Sequence, residues 1–134
     1  MILEAVFSLM YVVAAAMTLW SISQLKQFLE DTPSIANERS LDIFKVLVRT
    51  QMYLALVAIP VLVTGGALGI ALIGQYGMTG VAVVLLTNGL FIGLALYHKK
   101  IETRTRSLKT GSEVLGREYR QVCETWVKKA LPDF

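Results

Sequence analysis

A single cysteine and a single histidine among 134 residues exclude most of the chemistry a protein of this size can carry. Cys123, having no second thiol, forms no disulfide within the chain. It reads as a small residue on a packed helix face, with a reactive thiol as the alternative. Together Cys123 and His98 fall short of the three or four protein ligands a zinc site needs, and neither HExxH nor CxxC occurs. No serine or carboxylate stands at a recognisable spacing from His98 for nucleophilic catalysis. Haem shared by His98 of two copies is the one cofactor arrangement this histidine permits. An interfacial histidine beside Lys99 and Lys100 needs no such role, and neither cofactor nor metal is expected.

Charge is also missing where it would be informative. Outside the 26–49 link and the tail that begins at Lys99 the only acid is Glu4, whereas membrane paths for protons and cations use ionisable groups at depth. All thirteen basic residues fall in two places: Lys26, Arg39, Lys45 and Arg49, and then nine from Lys99 to Lys129. The net charge of +3 is therefore no nucleic-acid signal, because the basic residues flank apolar runs instead of lining one face. No nucleic-acid partner is expected.

What the chain does have is apolar length. The runs Met52–Gly74 and Met78–Tyr97, joined by a turn at Gln75-Tyr76-Gly77, each approach the roughly 20 residues a helix needs to cross about 30 Å of hydrocarbon. A third run, Ile2–Trp20, has no basic n-region or clear cleavage site and reads as a retained span. With 54% hydrophobic residues, residues 1–134 read as one membrane domain, an all-α protein with three transmembrane helices. By the positive-inside rule the N-terminus and the 75–77 turn lie outside, with the 26–49 link and the C-terminal tail in the cytoplasm of a cell bounded by this inner membrane. Trp20, Tyr53 and Tyr97 then mark one cytoplasmic boundary; Tyr11 does not fit that belt. Lys99–Lys109, with five basic residues and one acid, should meet anionic lipid headgroups.

The elements follow from local signals. Asp31-Thr32-Pro33-Ser34 ends the first helix near Glu30, and Ser34 or Asn37 caps the second. That helix runs to about Gly74, about 55 Å at ~1.5 Å per residue, so its first turns lie beyond the bilayer, with Leu41, Phe44, Leu47 and Val48 facing inward. Within it Pro60 and the glycines after it suggest a kink, either a gate or an aid to packing. Gly65 with Gly69, and Gly89 with Gly93, have the small-xxx-small spacing that seats a neighbouring backbone. Thr64 and Asn88 lie twelve residues either side of Tyr76, so an antiparallel hairpin sets them at one depth, able to bond. Either they staple two helices or they line a path.

Ser112 opens a final amphipathic helix over residues 112–130. Its apolar face holds Leu115, Tyr119, Val122, Cys123, Trp126, Val127 and Ala130, and its other face pairs charges of both signs. A helix this nearly neutral suits protein better than lipid, so it is expected to fold back on the cytoplasmic extensions near Phe28 and Phe44. Taken together, these features point to a membrane scaffold or accessory subunit acting in a homo-oligomer or larger complex. The alternatives are a homo-oligomeric channel or carrier gated at Pro60–Gly69 and Asn88, and a redox or lipid-modifying protein with a cofactor between copies.

Overall fold

The computed structural model describes all 134 residues and contains four helices: α1 (Ile2–Asp31), α2 (Glu38–Tyr76), α3 (Met78–Thr105) and α4 (Glu113–Lys128). The first three are long and apolar enough to cross a membrane. Their lengths of 30, 39 and 28 residues exceed the roughly 20 that a span requires. Each therefore has surplus turns, and those turns share one buried cluster with α4.

The breaks between helices sit where the chain chemistry demands them. α1 stops ahead of Pro33, and α2 begins at a capping box in which the Asn37 side chain accepts from Ser40 N at 2.9 Å while Ser40 Oγ accepts from Asn37 N at 3.1 Å. Of the two candidate caps Asn37 is the one used. α4 starts as expected at Ser112, whose hydroxyl accepts from Leu115 N, and ends two residues short of Ala130. α2 continues as helix through Pro60.

The α2–α3 turn is tighter than its sequence implies. Gln75 and Tyr76 are still helical, and Gly77 alone separates the two helices. Its φ of 57° lies in the region glycine adopts without the penalty of a Cβ. Beyond it Gly80 lets the two helices of the hairpin touch: a Cβ there would lie 2.5 Å from Leu72 O.

The best-packed part of the molecule lies at the charged end. Leu25 and Phe28 of α1, Leu41, Phe44, Leu47, Val48 and Met52 of α2, Ile101 of α3, and Tyr119 and Val122 of α4 form one buried cluster with Ile35 of the first link. Phe44 is its centre, with ring centroids 5.7 Å from Phe28, 4.8 Å from Tyr119 and 6.3 Å from Trp126. The two links are themselves tied together. Ile35 N donates to Lys109 O and Gly111 N donates to Ile35 O, each at 2.8 Å, as one parallel bridge.

Candidate functional site

Midway along the spans the polar pairing differs from expectation. Asn88 does not meet Thr64, which lies exposed on α2; its Oδ1 accepts instead from Tyr11 Oη at 2.8 Å, and its Nδ2 donates to Val84 O at 2.8 Å. Equal depth in a hairpin does not imply equal azimuth, and the inner face of α2 is turned toward α1. Tyr11, the one tyrosine of the spans outside the boundary belt, is thus a half-buried partner. Its ring packs on Phe7 at 4.8 Å and edge-on to Phe91 at 6.2 Å.

The small residues divide into used and unused. A Cβ at Gly65 would come within 3.2 Å of Tyr11, and one at Gly69 within 3.4 Å of Phe7 and Val84, so this pair seats aromatic side chains of α1 inside the monomer. Gly89 and Gly93 have nothing within 4 Å of a Cβ position. Pro60 lies exposed on α2.

At the boundary between the spans and the charged bundle is a polar cluster that sequence reasoning missed. Ser21 of α1 and Gln51 of α2 are buried to 5% and 4% residual exposure, and the Ser21 hydroxyl donates to Gln51 Oε1. His98 of α3 joins them, its Nε2 2.7 Å from Ser21 Oγ and 3.4 Å from Gln51 Oε1. Glu102, one turn along α3, stands 3.8 Å from His98 Nδ1 and also gathers Arg106 at 3.5 Å and Lys99 at 3.8 Å. Three helices each contribute one polar group because burying any of them alone would cost a hydrogen bond. A signal was available in the chain: Ser21 follows Trp20, His98 follows Tyr97, and Gln51 is two residues from Tyr53. The boundary aromatics therefore mark these three as neighbours in depth. With its Nε2 turned inward onto Ser21, His98 does not present that nitrogen to a second copy.

The third arrangement is α4 docked on the helix extensions, where the chain was expected to send it. Tyr119 Oη donates to Thr105 O at 2.5 Å and accepts from Leu108 N at 3.1 Å, so it closes the C-terminal end of α3. Burial raises the Tyr119 hydroxyl pKa well above that of an ordinary phenol, and it pushes the Cys123 thiol up to about 11. Both groups are neutral at physiological pH, which suits packing and not nucleophilic chemistry. Tyr119 and Val122 are buried, while Leu115 and Trp126 are half-buried against the core. The face is narrower than the sequence suggests: Val127 is exposed, and Ala130 lies past the helix end. Lys45 of α2 reaches Glu118 at 3.4 Å across this contact. No protein-family model, curated protein or solved structure matches the chain.

Proposed function

We propose that the chain is an integral membrane scaffold or accessory subunit that works through helix–helix contacts in a homo-oligomer or a larger complex. The observation that carries this reading is the bareness of α3. Of its residues only Gly80, Ile101 and Thr105 are buried, and the Gly89–Gly93 seam is uncovered by any other part of the chain. Around the seam stand exposed Leu85, Leu86, Leu90, Ile92 and Leu96. Small residues framed by branched aliphatics permit the close backbone approach by which membrane helices associate. Support over a channel or carrier comes from the opposite fate of the other elements, since Gly65, Gly69 and Asn88 are taken up by α1 side chains.

The orientation belongs to the same reading: N-terminus outside, the α1–α2 link and the α4 bundle in the cytoplasm, in an inner membrane. The absence of lysine and arginine before Lys26 and between Arg49 and Lys99 supports it. Exposed Lys99, Lys100, Arg104 and Lys109 then meet anionic headgroups.

Cysteine crosslinking tests the assembly. In a Cys123→Ser background, Gly93→Cys in native membranes should give a disulfide-linked dimer or a mixed product with another subunit, and Gly74→Cys should not. A chain that remains monomeric in lipid nanodiscs and co-purifies with no other subunit overturns the reading. For orientation, cysteine at Gly77 should react with an impermeant thiol reagent added to intact cells, while cysteine at Ser107 stays unlabelled.

A further inference from the structure

The Ser21–Gln51–His98 cluster does more than tie three helices together, because it forms the head of a cleft. Between α1, α2 and α3 lies an open space of about 230 Å³ whose remaining wall is mostly apolar, including Met17, Leu54, Ala58, Leu62 and Phe91. One end is thus polar and at the span boundary. The other runs toward mid-bilayer, where Phe91 meets Tyr11.

The protons held by these three side chains set the polarity that the head offers. Ser21 has one hydroxyl proton, and it goes to Gln51 Oε1. His98 Nε2, 2.7 Å from the same hydroxyl oxygen, must therefore carry a hydrogen and donate. The Gln51 amide orientation is set by the backbone: reversing it would place Oε1 against Ser21 O, 3.5 Å from the present Nε2, two acceptors facing each other. In the orientation found, that 3.5 Å contact is the only bond made by the two N–H groups of Gln51 Nε2, and it is at the limit of a hydrogen bond. The head of the cleft accordingly has N–H donor capacity to spare.

A spare donor calls for an acceptor, and the surroundings select an uncharged one. No unpaired countercharge faces the cleft, since Glu102, beside the far nitrogen of His98, is itself matched by Arg106 and Lys99, and the surplus of donors opposes a cation. Size sets a further limit, since 230 Å³ is below the roughly 300–1,000 Å³ of pockets that enclose a drug-sized ligand. Only a head fits inside; a tail must lie along the lipid-facing grooves. We propose that Ser21, Gln51 and His98 form the head-group site for an uncharged, carbonyl-headed amphiphile, its carbonyl oxygen accepting from Gln51 Nε2 and its chain running past Ala58 and Phe91 toward the bilayer centre. A lipid-soluble quinone and the acyl ester of a neutral glycerolipid share this chemistry. The site is independent of the α3 face on which the assembly reading rests.

The test uses the full chain in phosphatidylcholine nanodiscs, with the side-chain amide of Gln51 labelled with ¹⁵N and observed by NMR. Decyl-benzoquinone and dioctanoylglycerol are titrated separately. A saturable shift of the Gln51 amide with the quinone alone, or with the glycerolipid alone, supports the site and identifies the source of the carbonyl; a shift with both supports recognition of the carbonyl itself. Ala58→Phe, which fills the cleft and leaves the polar groups in place, should weaken the response at least tenfold. Ala95→Leu serves the same purpose should Ala58→Phe fail to fold. No saturable shift with either probe overturns the proposal, and so does a shift that both cleft-filling variants leave unchanged.

Discussion

Replacing Phe44 with alanine should release α4, although Phe44 belongs to α2. Its side chain is fully buried and stands between Phe28, Tyr119 and Trp126, so it is the shared contact through which α4 meets two other helices. Truncating a buried phenylalanine to alanine costs about 3–5 kcal/mol, of which the contacts with Tyr119 and Trp126, and not the one with Phe28, hold α4. The 16 residues of α4 are near the length at which an isolated helix is marginal in water, so undocking and unfolding should coincide. At 1.4 kcal/mol per factor of ten, a loss of about 3 kcal/mol raises the undocked fraction roughly a hundredfold. Amide hydrogen exchange reads that fraction directly for locally opening segments. The expected result is faster exchange across Glu113–Lys128 by about two orders of magnitude, and faster exchange at Leu108, whose N–H loses Tyr119 Oη. Unchanged exchange in α4, with an increase confined to α2 around residue 44, would refute the docked bundle.

Three further outcomes follow from the packing. Tyr11→Phe and Asn88→Leu should each cost about 0.6–2 kcal/mol and be strongly non-additive in a double-mutant cycle of membrane-protein unfolding, whereas Thr64→Val should be neutral. Gly80→Ala should destabilise the α2–α3 hairpin in thermal unfolding, because its Cβ meets Leu72 O at 2.5 Å; Gly74→Ala, with nothing within 4 Å, should be tolerated or slightly stabilising. Cys123, with its thiol pushed up to about 11, holds far less thiolate at pH 8 than a free cysteine, so alkylation should be slower by roughly a hundredfold. Mass-spectrometric labelling rates should approach those of a free thiol in the Phe44→Ala chain.

Much of the architecture was legible because it depends on local chemistry. The apolar runs, Pro33, Asn37 and Ser112 mark their helices through length, backbone constraint and capping, none of which needs a tertiary contact. Docking of α4 was readable too, since Tyr119, Val122 and Trp126 have no reason to share a face unless something covers them. What failed was azimuth. Thr64 and Asn88 have the same depth, but a hairpin leaves each helix free to rotate, and only the third helix decides which side of α2 faces inward. α1 presents Tyr11 and Phe7 to Gly65 and Gly69, which turns Thr64 outward. The misfit of Tyr11 with the boundary belt was the visible sign of this. The Ser21–Gln51–His98 cluster escaped for a related reason: no spacing within a chain relates three residues that meet only when three helices do.

The single-residue turn at Gly77 bears on how the protein enters a bilayer. A hairpin of two spans ordinarily has a polar loop whose backbone must be carried through hydrocarbon before the second helix can form, and each unpaired peptide group on that route is costly. Here the Gly77 N–H already bonds Ile73 O, and Gly77 O already accepts from Val81 N, so the linking residue is itself fully paired and only the helix-end groups beside it remain open. α2 and α3 can therefore cross as one preformed wedge. The side of the membrane that receives Gly77 gains almost no soluble surface from this hairpin, whereas the opposite end of the same two helices carries the docked α4.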